Sequence, residues 1–194
     1  SLFIFHFSLF TFHFSLSIMD IIEKAKKIKL VIFDIDGVMT DGSLFFDNSG
    51  EEYKAFNSLD GHGLRMLQEC GVKVAVITGR KSELVKHRMN DLGVTLLYQG
   101  YRDKTPAFDA LLKEVNLTKD QITYVGDDVV DLPIMSQLDF AIAVQNAHPF
   151  VKQHAHWITD RNGGHGAVRD VCEFILEAKG LLNDKLHSYL YTKE

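Results

Sequence analysis

The chain has no run of basic residues, no apolar stretch long enough to cross a bilayer and only two cysteines, and each shortage removes a class of function. Without a basic stripe nothing neutralises a phosphate backbone, and the formal net charge of −5 points the same way, so no nucleic-acid partner is expected. Without about twenty consecutive apolar residues no helix is expected to span a membrane, and no membrane partner is expected. Cys70 and Cys172 lie far apart in no metal-ligand spacing. They read as free core thiols in a reducing compartment, here the cytoplasm, although the sequence leaves a disulfide between them open. The nine histidines show no ligand spacing either. What remains is an ordinary globular composition, 46% apolar and 24% charged, over 194 residues, enough for one well-cored domain.

The first residues stand apart. SLFIFHF is followed by SLFTFHF and SLS, a near-repeat with strong β-propensity and no charge. It lacks the basic flank and small-residue cleavage site of a signal peptide. The expectation is a non-native or disordered Phe-rich leader over 1–18, with Met19 a natural start, a domain over 19–180 and a C-terminal tail over 181–194. An edge strand or oligomer contact is the rival reading of the leader.

Within the domain, short apolar runs alternate with helical patterns. Strands are expected at Leu30–Phe33, Val72–Ile77, Thr95–Tyr98, Ile122–Val125, Phe140–Val144 and Trp157–Ile158. Ser43–Phe46 and Glu51–Phe56 flank the turn residues Asp47 to Gly50 and read as a β-hairpin. Asn57 to Gly63 reads as a loop opening onto a helix near Leu64. Ser82 reads as a helix cap and Pro106 as a first-turn proline. The fold class is therefore α/β, a doubly wound parallel sheet with a hairpin inserted after its first strand, whose ligands bind beyond the carboxyl ends of the strands.

That rule gathers the residues that follow successive strands: Asp34 and Asp36, Thr78, Lys104, then Asp127 and Asp128. Hard oxygens from Asp34 and Asp127 suit Mg²⁺, which keeps several waters and takes one or two carboxylates beside a phosphate oxygen. Thr78 offers a neutral hydroxyl donor. Lys104 offers a charge that holds the carboxylates together and stabilises a transferring phosphoryl group. Carboxylates gathered around nothing would repel, so a cation is a physical requirement of the arrangement.

DIDGVMTDG, the strand-terminal Thr78, the loop Lys104 and GDDVVD occur in the order of the signature motifs of the haloacid dehalogenase superfamily, which the chain resembles from about Leu30 to Val144. The resemblance implies that Asp34 is a nucleophile forming an aspartyl-phosphate, and that Asp36 is the general acid for the leaving alcohol and then the base for water. It also implies Mg²⁺ held by Asp34, Asp127 and the main-chain carbonyl of Asp36, with Asp128 and Asp131 behind them orienting waters, Lys104 or backbone. No inserted cap domain fits between Asp34 and Thr78, or between Thr78 and Lys104.

The hairpin LFFDNSGEEYKAF, the run NSLDGHGLRML, GDDVVDLP and the late GGHGAVRD resemble more closely the cap-less family that hydrolyses 3-deoxy-D-manno-octulosonate 8-phosphate in lipopolysaccharide biosynthesis. By that resemblance the substrate region holds Asp36, Asn57, Ser58, Leu59, Asp60, Gly61, Arg65, Arg80, Arg88 and Lys104. Leu59 is a departure, since many relatives carry Arg there. The partners implied are a small phosphorylated sugar acid and copies of the chain itself, a homotetramer in which a neighbour covers the open site. The hairpin face of Leu44, Phe45, Phe46, Tyr53 and Phe56 is its expected seam, unless those residues cover the monomer's own core. His62 and His165 read as bystanders at the mouth of the site, and Gly163 to Gly166 with Arg169 as either a helix entry or a group near substrate. Two alternatives stand beside this reading: a phosphatase for a sialic or ketodeoxynononic acid 9-phosphate, and a phospho-aspartate signalling receiver. A receiver, however, places its acidic pair ahead of the nucleophile.

Overall fold

The computed structural model describes residues 19–191, so the Phe-rich leader lies outside the described residues. Helix α1 over 19–27 leads into β1 (Leu30–Phe33), whose four residues are all buried, as a strand covered on both faces requires. A two-stranded antiparallel hairpin follows, β2 (Phe45–Phe46) and β3 (Glu52–Tyr53), with Phe45 opposite Tyr53. Then come α2 (Ser58–Glu69), β4 (Lys73–Thr78), α3 (Glu83–Asp91), β5 (Leu96–Gln99) and α4 (Thr105–Val115). The second half holds β6 (Ile122–Gly126), α5 (Leu132–Met135), β7 (Phe140–Ala143), α6 (Pro149–His154), β8 (Trp157–Ile158), α7 (Ala167–Ala178) and α8 (Leu182–His187).

The six-stranded sheet runs in the order β5-β4-β1-β6-β7-β8, and every pairing is parallel. Strand β1 sits between β4 and β6, so the carboxyl ends of these strands open at one edge, where the chain order reverses. Leu30, Ile32, Phe33, Val76, Ile77, Tyr124 and Val125 form the fully buried centre of the core. Trp157 stacks on Phe174 with ring centroids 4.3 Å apart, closing the far edge of the sheet. Both cysteines are free, Cys172 buried and Cys70 half-buried, which answers the question the sequence left open.

Two expectations are corrected. The stretch Asn57 to Gly63 is the start of α2 and not a loop: the Asn57 side chain accepts the Leu59 N–H at 2.8 Å as an N-cap. Gly61 and Gly63 lie inside the helix because neighbours need the room. A Cβ at Gly61 would stand 2.3 Å from the Arg88 guanidinium, and one at Gly63 2.9 Å from the Arg169 side chain. The hairpin face splits as well: Leu44, Phe45, Phe46 and Tyr53 are exposed, whereas Phe56 packs against the core. Ser82 occupies the cap position of α3 but makes no side-chain cap hydrogen bond.

Candidate active site

After β1 the chain turns sharply: the Ile35 carbonyl accepts the N–H groups of Val38, Met39 and Thr40. Thr40 Oγ1 accepts the N–H of Gly37 at 3.4 Å and of Gly42 at 3.3 Å, which fixes the turn. Gly37 takes φ +95° with its Cα against Asp127, where a Cβ would lie 2.1 Å from Oδ2. This turn sends Asp34 and Asp36 to different partners.

Asp34 is buried, and its Oδ1 lies 2.9 Å from Lys104 Nζ. The same ammonium lies 2.6 Å from Asp131 Oδ1 and donates to the Tyr124 hydroxyl at 3.1 Å. Tyr124 in turn donates to Asp131 Oδ1 at 2.7 Å. The second oxygen of Asp131 accepts the N–H groups of Asp127 and Asp128, at 3.0 and 3.2 Å. Asp131 thus ties the lysine of one strand end to the backbone of another. Asp128 is spent locally, accepting the Val129 N–H at 2.7 Å to cap the 3-10 turn Val129–Asp131.

A hollow of about 460 Å³ opens over these groups, lined by Asp34, Asp36, Thr78, Arg80, Arg102, Lys104, Asp127 and Asp128 with Gly79 and Val130. Its charges are strongly coupled. Burial pushes the Asp34 carboxyl up to about 7 against the opposing pull of Lys104, and burial with the nearby Asp131 and Asp34 charges pushes Asp127 up to about 8. Burial alone would lower Lys104, but Asp34 and Asp131 outweigh it and hold the ammonium above its ordinary value, so it stays charged.

Oxygens of Asp34, Asp127 and Asp131 all lie within 4.8 Å of one another. Asp131 is committed to Lys104, Tyr124 and main-chain N–H groups, but Asp127 Oδ1 is buried without a hydrogen-bond partner among the described residues. A buried carboxylate oxygen left over beside a second carboxylate fits a hard divalent cation, with Asp34 and Asp127 as its side-chain ligands.

The residues expected at the substrate divide. Asp36, Arg80 and Lys104 line the hollow, whereas Ser58, Gly61, Arg65 and Arg88 line a different one of about 310 Å³, together with His62 and Asp91. There Arg65 donates to the Asp91 carbonyl at 2.9 Å and Arg88 lies 3.0 Å from the Asp91 carboxylate. Asn57 and Asp60 serve the fold: Asn57 Nδ2 donates to the Gly164 carbonyl at 3.2 Å, and buried Asp60 accepts the Arg169 N–H at 2.8 Å, near the start of α7. Burial raises the Asp60 carboxyl, opposed in part by the Arg169 and Gly166 N–H groups. Leu59 is exposed on the first turn of α2.

Sequence reasoning passed over Lys54, Glu52 and Arg102. Arg102 lines the hollow, while Lys54 contacts Asp36 Oδ1 and lies 3.1 Å from Glu52. The signal for Lys54 was the alternation Glu52, Tyr53, Lys54, which turns the first and third side chains to one face of the hairpin.

Comparison with known proteins settles the family. A family model described as haloacid dehalogenase-like hydrolase matches residues 97–171. The 3-deoxy-D-manno-octulosonate 8-phosphate phosphatase of Yersinia pestis is 47% identical over 167 residues, covering 86% of this chain and 87% of its own. The chain belongs to the 3-deoxy-D-manno-octulosonate 8-phosphate phosphatase family of haloacid dehalogenase-like hydrolases. The corresponding Escherichia coli K12 enzyme is 45% identical over 165 residues, 85% of this chain and 88% of its own. The crystal structure of the Yersinia pestis protein superposes with a TM-score of 0.83 at 46% identity, covering 84% of this chain and 89% of that one. That of the Moraxella catarrhalis enzyme, solved with magnesium, phosphate and a KDO molecule, gives 0.85 at 38% identity, covering 87% and 97%. These relatives are enzymes, and the receiver alternative falls with them. Among the described residues no helix is long and apolar enough to cross a membrane.

Proposed function

We propose that this protein is a Mg²⁺-dependent phosphomonoesterase that hydrolyses 3-deoxy-D-manno-octulosonate 8-phosphate to the free sugar acid and phosphate. The observation that carries the reading is the meeting of Asp34, Lys104 and Asp127 in one hollow at the carboxyl edge of the sheet. Asp34 attacks phosphorus in line with the leaving alcohol and forms an aspartyl-phosphate while the sugar C–O–P bond breaks on the phosphorus side. Asp36 gives its proton to the departing oxygen, then takes one from the water that attacks the phospho-aspartate, so phosphate leaves and Asp34 is regenerated. Thr78 and Lys104 donate hydrogen bonds to the phosphoryl oxygens, and Lys104 draws the Asp34 carboxyl towards the ionised form that attacks, against the opposing effect of burial. Asp131 holds Lys104 and the Asp127 backbone in register. Mg²⁺, when bound by the Asp34 and Asp127 carboxylates and the Asp36 main-chain carbonyl, offsets the excess negative charge and polarises the phosphoryl group.

Arg80 reaches the substrate in this reading within one chain. Ser58, Gly61, Arg65 and Arg88 line the second hollow and in this reading reach substrate across an interface between copies, whereas Asn57 and Asp60 act through the fold. The exposed Leu44, Phe45, Phe46 and Tyr53 supply the apolar face for such an assembly, a homotetramer in which a neighbour closes the site.

The test is kcat/KM over a panel of sugar phosphates, with and without Mg²⁺, that includes sialic and ketodeoxynononic acid 9-phosphates. The eight-carbon acid phosphate is expected to lead, with no turnover in chelator. A nine-carbon substrate that leads by tenfold or more would move the assignment to that sugar.

A further inference from the structure

Asp36 lies between two cations. Its Oδ1 meets Lys54 Nζ, and its Oδ2 faces Arg80 Nε at 3.8 Å. Glu52 bridges both, 3.1 Å from Lys54 and 2.8 Å from Arg80. The two cations are not equivalent. The Arg80 side chain is 42% exposed and its charge is screened by water, whereas the Lys54 side chain is 2% exposed, as closed off as that of Lys104. Lysines are almost never buried unless paired, and removing one partner of such a pair leaves a costly lone charge. The site therefore contains two buried ammonium groups with separate duties: Lys104 joins Asp34 to Asp131, and Lys54 joins Asp36 to Glu52.

Lys54 comes from the hairpin, one residue beyond β3, and not from the sheet that carries the other reacting groups. An element that had only to be anchored would need an apolar contact or a pair of its own. Here the long stem ends on the carboxyl group that the proposed reaction uses for proton transfer. We propose that Lys54 is a positioning residue: it pins one oxygen of Asp36 and leaves the other, on the Arg80 side, aimed at the leaving-group oxygen. In this way the inserted hairpin becomes part of the acid catalyst. A side chain free to rotate would present that oxygen in the reactive orientation only part of the time, and proton transfer is sensitive to such geometry.

The inference rests on the acid role of Asp36, and the leaving group separates the two claims. A sugar alcohol needs a proton as it departs; p-nitrophenolate does not. Values of kcat/KM, which report steps up to transfer of the phosphoryl group to Asp34, are compared for the sugar phosphate and for p-nitrophenyl phosphate. Asp36→Asn is expected to lower the first by about 100-fold or more and the second far less. Lys54→Met is expected to repeat that pattern at about tenfold or more on the sugar phosphate and under about threefold on the aryl ester, and Lys54→Arg to recover most of the loss.

Equal loss on both substrates, or none on either, would make Lys54 a structural or idle residue and overturn the inference. If Asp36→Asn itself shows no leaving-group dependence, the acid assignment falls first. Should Lys54→Met fail to fold, Glu52→Gln, which keeps the lysine and frees it from one carboxylate, serves in its place. A smaller loss confined to the sugar phosphate supports the inference, and a loss shared by both substrates, or absent from both, refutes it.

Discussion

Lys104 Nζ and Asp131 Oδ1 lie 2.6 Å apart, with the lysine side chain 2% and the aspartate 0% exposed. The pair connects the strand ends of β5 and β6, and everything chemical in the hollow leans on it. Asp131→Ala leaves Lys104 with Asp34 as its one carboxylate beside the Tyr124 hydroxyl, orphans the Asp127 and Asp128 N–H groups, and is expected to cost about 3–5 kcal/mol of stability. Melting curves and kcat check this together. A variant that melts within about a degree of the parent and keeps its kcat would show that the pair is dispensable.

Metal and proton compete for the same oxygens. Burial pushes the Asp34 carboxyl up to about 7 and that of Asp127 up to about 8, against an ordinary 3.8, so the folded state binds protons more tightly than the unfolded chain. That contribution to stability is complete below the ordinary value and is lost as pH rises towards 7 and 8. Mg²⁺ needs both groups ionised and takes over where the protons leave. The rise in Tm on adding Mg²⁺ is expected to grow between about pH 5 and about pH 8. A rise that is flat or larger in acid would contradict the assignment of these two carboxylates as ligands.

The loop that begins at Asn162 buttresses the turn after β1. A Cβ on Gly163 would fall 1.7 Å from the Gly37 carbonyl oxygen, and Gly37 itself presses on Asp127. Gly163→Ala must push that turn aside. The expected result is a loss of about 1–3 kcal/mol or more with a weaker Mg²⁺ affinity, measured by calorimetry. Unchanged affinity in a destabilised variant would show that the strain stops short of Asp127.

Exposed aromatics on the hairpin bear on assembly. Phe46→Asp with Tyr53→Lys places charges on a surface that is water-facing in one chain, so the monomer fold is expected to survive. The mass in solution should drop from that of a tetramer, measured by light scattering, and kcat/KM should fall with it. Full activity in a monomer would detach the second hollow from the reaction.

Much of this was legible in the chain. Strand β1 is an uninterrupted apolar run followed by Asp34 and Asp36, the pattern of a strand buried from both sides that ends at a polar site. Thr78, Lys104 and Asp127 meet because the rule of strand ends is topological and needs no side-chain detail. What the sequence hid was packing. Gly61 and Gly63 looked like a loop, yet they are small because Arg88 and Arg169 lie against them. Nothing in the sequence marks the Lys54 side chain as closed off from water, because burial depends on what crosses over it. Arg65 and Arg88 looked like members of one pocket, and helix register turned them to another.

The central claim is that Asp34 accepts the phosphoryl group, and phosphopeptide mapping tests it most directly. Asp36→Asn, mixed with substrate and Mg²⁺ and quenched in acid, should carry one phosphoryl group on the peptide that contains Asp34, and none once Asp34→Asn is added. Phosphate on another residue, or an Asp34→Asn enzyme that turns over near the parent rate, would contradict the account.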